Sequence, residues 1–151
     1  MKSDELEMRQ KLLLLFLESG APRELDPIKI MKGLFLVSKE ALADWIGQED
    51  RYDFTPYYYG PCSFQIYSDL SILEQKGYIL SIEVQGQSWK YYALTKEGDQ
   101  KAKSIIKEIN QGLYLYIKKV REWVSKLSFR DLLAVIYKHY PDYAKESVFK
   151  F

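Results

Sequence analysis

Residues 73–95 read LEQKGYILSIEVQGQSWKYYALT, and this run decides the fold. Tyr78 to Val84 and Trp89 to Leu94 are rich in β-branched and aromatic residues, and Gln85 Gly86 Gln87 Ser88 separates them, which is the pattern of a β-hairpin. Immediately before it, Ser63 is placed to cap a third helix carrying Ile66, Tyr67, Leu70 and Leu73 on one face, and Gly77 stands where a left-handed C-cap goes. The order helix, strand, turn, strand is that of a recognition helix followed by a wing.

Upstream, Leu6 to Leu17 has helix-forming residues and no breaker until Ser19 Gly20 Ala21 Pro22. Asp26 and Pro27 read as an N-cap and a first helical proline, with Ile28, Met31, Leu34, Phe35 and Leu42 following at helical spacing to about Trp45. From Asp50 to Pro61 aromatic residues are broken by two prolines, so an extended segment turning at Gly60 Pro61 is expected. Downstream, Thr95 caps a further helix. Apolar residues then step by four and three through Ala102, Ile106, Ile109, Leu113, Tyr116, Val120, Trp123 and Leu127, across Gly112, as in a coiled-coil seam. Ser128, with Asp131 three residues on and a Leu127–Leu132 staple, opens a last helix ending near Tyr140.

The reading is mainly α with a β-hairpin (α+β): a winged helix-turn-helix-like domain spanning 1–151, with residues 26–98 as its core and 99–151 as a C-terminal helical extension. The 151 residues suit one domain, and 15% aromatic content argues against disorder. A lone cysteine, Cys62, excludes an internal disulfide and, with no signal sequence read, points to a cytoplasmic protein. The apolar run Leu12 to Leu17 is far shorter than a membrane span, so no membrane partner is expected.

Three patches carry a family resemblance: Ile28 to Leu36; Tyr58 Tyr59 Gly60 Pro61 Cys62 Ser63 with Ile66, Tyr67, Asp69 and Leu70; and Tyr137 to Tyr143. Together they resemble a widespread set of small, largely uncharacterised prokaryotic winged-helix proteins, related in motif to phage-associated proteins and Panacea-type antitoxin domains. The resemblance implies a winged-helix-like fold and a role by protein contact or DNA contact rather than by catalysis.

Candidate sites follow from this frame. With Ile66, Leu70 and Leu73 inward, the third helix exposes Gln65, Ser68, Asp69, Glu74, Gln75 and Lys76. Ser63, Gln65, Ser68, Gln75 and Lys76, with Gln87 and Lys90 of the hairpin, are the candidate nucleic-acid contacts. That helix has no arginine, and Lys90 is the hairpin's one cation, which is sparse for phosphate contact. Net charge is +1, but residues 96–151 hold 12 basic and 7 acidic side chains, including Lys101, Lys103, Lys107, Lys118, Lys119, Arg121, Lys126 and Arg130. If Ile106, Ile109, Leu113, Tyr116, Val120 and Trp123 join two chains in a homodimer, those cations are duplicated across a two-fold axis; otherwise they are a solvated helix face.

Tyr57, Tyr58 and Tyr59 are the candidate protein contact, provided more than one ring is exposed. Cys62, near a helix N-terminus, could be a redox-sensitive thiol, although no second cysteine is present to resolve it; His139 reads as a capping or surface residue. No phosphate loop, dinucleotide fingerprint, nucleophile elbow or paired helical histidine occurs, so no cofactor and no enzymatic activity are expected. Two accounts remain: a homodimeric DNA-binding regulator, and a protein-interaction module. A continuous cationic face would favour the first, and an exposed apolar, tyrosine-rich patch the second.

Overall fold

The computed structural model describes residues 5–151; Met1 to Asp4 lie outside the described residues. Six helices and two small antiparallel hairpins follow one another: α1 (Met8–Glu18), α2 (Pro27–Glu40), β1 (Thr55–Tyr57), β2 (Gly60–Cys62), α3 (Phe64–Gln75), β3 (Ile79–Glu83), β4 (Lys90–Leu94), α4 (Lys96–Glu108), α5 (Gln111–Lys126) and α6 (Phe129–His139), with single 3₁₀ turns at Gln48–Asp50 and Pro141–Ala144. The chain is therefore mainly helical with a minor β component. No described helix is long and apolar enough to cross a membrane.

Most ends obey the sequence. Asp26 accepts from Lys29 N at 2.9 Å, with Pro27 behind it; Thr95 accepts from Gly98 N at 2.9 Å and Ser128 from Asp131 N at 3.1 Å. Gly77 has φ +86° and closes α3, as a left-handed cap requires. The 78–95 hairpin forms in the register Ile79↔Leu94 to Glu83↔Lys90. Leu25 then adds a one-residue bridge to Tyr92, exchanging two backbone hydrogen bonds of 2.9 Å.

α2 is buried at every position from Ile30 to Val37, because α1, α5, α6, β2 and β4 all pack on it. It stops at Glu40 rather than near Trp45, and Leu42 is exposed, not in the core. Arg51 takes over where the helix ends: its guanidinium donates to Ser38 O at 2.8 Å, the carbonyl that Leu42 N would have met in a longer helix, and to Ile46 O at 2.9 Å in the following loop. The aromatic stretch before α3 is a hairpin turning at Tyr58 and Tyr59, with Gly60 and Pro61 already in β2, rather than an extended segment turning at Gly60 Pro61.

The expected continuous seam is interrupted. Ile109 is extended (ψ 165°), and Asn110 starts α5 by accepting from Leu113 N at 3.1 Å, so α4 and α5 are separate helices. The buried stripe keeps Ala102, Leu113 and Val120 of the expected series but elsewhere lies one residue off it: Ile105 rather than Ile106, Ile117 rather than Tyr116, and Val124 rather than Trp123. Each of the three pairs is adjacent and apolar, and an α-helix drifts from a strict heptad by about 20° per repeat. Packing on α1 and α2 selects the phase that pattern alone leaves open. Ile106, Ile109, Tyr116 and Trp123 are left half-buried on the flank, and the covered side of the stripe is covered within this chain.

The C-terminal helices contribute to the same apolar cluster as residues 26–98. Arg121, expected among the solvated cations, is instead 0% exposed. Its Nε donates to Phe16 O at 2.9 Å, and its Nη2 donates to Pro22 O and to Gly20 O, at 3.5 Å. One guanidinium thus caps the end of α1 and the loop after it, and burial lowers its pKa.

Candidate functional site

α3 is held against the body by its inner face, where Ile66, Leu70 and Leu73 are buried. Asp69, expected outside, is 3% exposed, with Gln10 Nε2 at 3.1 Å, the Tyr52 hydroxyl at 2.7 Å and Arg9 Nε at 3.8 Å. Its carboxylate is structural, and no acid of that position opposes a phosphate. Burial and the neighbouring carboxylate push the Tyr52 phenol well above its ordinary pKa.

The expected nucleic-acid contacts differ in exposure. Ser63 is 1% exposed, makes no capping hydrogen bond and has an unpartnered buried hydroxyl, so it cannot touch a duplex. Gln65 is half-buried and accepts from Asp53 N at 2.9 Å. Ser68, Gln75, Gln87 and Lys90 are exposed, and Lys76 is half-buried. Between these polar positions the outer face of α3 presents Phe64 (58% exposed), Tyr67 (46%) and Ile72 (38%). Tyr67, expected inside, is outside because the α3 face that meets the core is filled by Ile66 and Leu70. Aromatic and aliphatic groups, rather than cations, dominate this helix.

Tyr57, Tyr58 and Tyr59 are all exposed, which meets the condition set for a contact surface. Their backbone is fixed from two sides. Tyr57 pairs with Gly60 across the hairpin, and Tyr58 O accepts from Val148 N at 3.0 Å and Ser147 Oγ at 3.3 Å. The rings are ordered by one another: Tyr57 stacks on Tyr58 at 4.7 Å and meets Phe64 edge-on at 5.6 Å, while Tyr59 meets Phe129 edge-on at 6.0 Å.

Beside these rings lies a cleft of about 520 Å³, walled by the first turn of α2 (Asp26, Pro27, Ile28, Lys29), by Tyr59 and Tyr67, by Ser88, Trp89 and Tyr91 of the second hairpin, and by Phe129. A smaller pocket of about 170 Å³ shares Pro27, Ile28, Tyr59 and Tyr67 with it and continues to Met31, Lys32, Tyr57, Gly60, Cys62 and Phe64. Lys32 is 2% exposed, its Nζ donates to Pro61 O at 2.9 Å, and burial lowers its pKa to about 8. Burial pushes the Cys62 thiol up, the opposite of what a redox-sensing thiolate needs.

Trp89, Tyr91, Phe129 and Lys32 were not candidates from sequence. A signal existed for Lys32 alone: a charge inside the apolar run Ile30 Met31 Lys32 Gly33 Leu34, on a helix whose neighbours leave no wet side. The other three come from segments far apart in sequence, and only the tertiary fold gathers them.

Of the seam residues, Tyr116, Val120 and Trp123 line a separate groove of about 420 Å³ with Leu36, Glu40 and Tyr140. There Glu40 accepts from the hydroxyls of Tyr116 at 3.0 Å and Tyr140 at 2.6 Å, so the flank of α5 is tied to α2 within the chain. His139 is exposed, with Nδ1 3.0 Å from Val135 O. Among the described residues no group of three or more His, Cys, Asp or Glu side chains could hold a metal. No family model matches this chain, and no curated protein matches its sequence.

Proposed function

We propose that this chain is a winged-helix domain whose recognition-helix and wing surface holds another protein, as in the interaction modules of the antitoxin or phage-associated kind. The observation that carries the reading is the exposed aromatic group of Tyr57, Tyr58, Tyr59, Phe64, Tyr67 and Trp89, of which Tyr59, Tyr67 and Trp89 line a 520 Å³ cleft. Such patches on an otherwise polar surface mark partner sites, and tyrosine and tryptophan are the residues that anchor them. Support for the winged-helix topology comes from the Leu25–Tyr92 bridge, a single residue of the connection between α1 and α2 that pairs with the wing hairpin.

A DNA-binding regulator is the second reading, favoured by the exposed Ser68, Gln75, Gln87 and Lys90 on α3 and the wing. It is the weaker account because the same face carries Phe64, Tyr67 and Ile72 where phosphate-binding cations belong. Homodimerisation through the seam has less to recommend it once the stripe from Leu113 to Val124 is covered internally.

The test pairs two measurements on the same protein. Affinity capture from the native host, followed by identification of bound chains, is run with the wild type and with a Tyr58→Ala/Trp89→Ala variant. Fluorescence anisotropy with duplex from its own promoter, against a scrambled duplex, is run in a salt titration. A partner retained by the wild type and lost by the variant, with no promoter preference, is expected. Promoter preference that survives near-physiological salt overturns the protein reading in favour of the regulator.

A further inference from the structure

The pocket over Lys32 has an unusual complement of groups. Its lining holds one ammonium, three phenols (Tyr57, Tyr59, Tyr67) and the Cys62 thiol, and it contains no acid. Lys32 carries three N–H donors, and among the described residues its one hydrogen-bond acceptor is Pro61 O. None of the three phenols donates to another described residue. Asp26, the carboxylate whose charge reaches Lys32, is already engaged at Lys29 N. A buried ammonium left two acceptors short is costly, and the missing acceptor here has to be anionic or strongly polar.

Shape narrows the class. The walls beyond Lys32 are rings, with Ile28 and Met31 beneath, and the space is about 170 Å³. A cavity of roughly 150 Å³ is enough for a benzene ring. We propose that this pocket binds the carboxylate of a small aromatic acid, with Lys32 as the cation, the tyrosine hydroxyls as further donors, and the Tyr57–Phe64–Tyr67 rings against the ligand's apolar body. The acid arrives either free or as the C-terminal aromatic residue of a polypeptide; the chemistry is common to both. The site shares Tyr57, Tyr59, Phe64 and Tyr67 with the partner patch but adds Lys32 behind them, and because its probes are small molecules its failure and that of the partner reading are distinguishable.

Two pairs of probes test this on the full chain by heteronuclear NMR titration: benzoate against benzamide, and acetylglycylphenylalanine with a free C-terminus against its C-terminal amide. Within at least one pair, the acid is expected to bind at least tenfold more tightly than the amide and to shift the resonances of Tyr59, Tyr67 and the Lys32 side chain. Whichever pair shows the preference identifies the source, free acid or polypeptide terminus. In Lys32→Met, a change of similar length that removes the charge, the preference should be lost while the spectrum remains dispersed. Acid and amide binding alike in both pairs, or no saturable shift with either acid at millimolar concentration, overturns the proposal without recourse to any variant. So does a Lys32→Met protein that keeps the preference.

Discussion

Tyr52 donates its hydroxyl to Asp69 Oδ2 at 2.7 Å, and this bond joins the segment before β1 to the inner face of α3. Both groups are buried, and the phenol also reaches Arg9 O at 3.2 Å. Tyr52→Phe keeps the ring and deletes the donor, leaving a carboxylate oxygen short of its nearest partner. We expect a loss of about 1–3 kcal/mol in urea unfolding, the range for a buried acceptor left unmet. A loss within about 0.5 kcal/mol would show that Gln10 and Arg9 suffice to hold Asp69.

Lys32 makes stability depend on pH in a defined window. Its pKa is about 8 in the folded chain against 10.5 for the ordinary side chain, so between those values the unfolded chain binds more protons and stability rises with pH. The full rise attributable to this group is about 3 kcal/mol. Lys32→Met should lack that rise and be more stable than the wild type at pH 7. The comparison is best made between pH 8 and 10, below the range in which the buried tyrosines ionise. Parallel pH profiles for the two proteins would refute the account.

Gly33 of α2 packs directly on Phe16 of α1. A methyl group there would stand 2.0 Å from Phe16 Cζ, and Phe16 is fully buried with no room to swing aside. Gly33→Ala should therefore cost about 1–3 kcal/mol, even though alanine is the better helix former by about 1 kcal/mol. Thermal unfolding settles the sign, and pairing the change with Phe16→Leu should recover part of the loss.

Tyr58 and Trp89 are exposed and pack on little that is buried. Alanine at either position should change stability by no more than about 0.5 kcal/mol while weakening partner binding at least about tenfold. Calorimetry on the single variants, with the captured partner, separates those two effects.

The parts of the fold set by local chemistry were legible before any coordinates. Asp26, Thr95 and Ser128 cap helices, Gly77 ends one, and the 78–95 hairpin forms as its alternation requires. Legibility failed where a distant group intervenes. Arg51 takes over the Ser38 carbonyl where α2 ends, Gln10 and Tyr52 draw Asp69 inward, and neighbouring helices choose Ile117 over Tyr116 and Val124 over Trp123. The candidate site divides in the same way. The three adjacent tyrosines could be named from sequence, because a turn between short strands keeps them out of the core. Trp89, Phe129 and Lys32 could not, because their proximity is created by the packing of the second hairpin, α6 and α2 around that turn.

Arg121 gives the folding of this chain an order in time. The carbonyl of Phe16 leaves the ribosome first and is served by a donor 105 residues later, and those of Gly20 and Pro22 are served by the same side chain 101 and 99 residues later. Until α5 has been synthesised, the end of α1 has no latch, however well the 73–95 run has formed its hairpin. A nascent chain halted after the β3–β4 hairpin would carry recognisable local structure and an open core, ready for a chaperone or a protease, and synthesis of α5 is the event that supplies the latch.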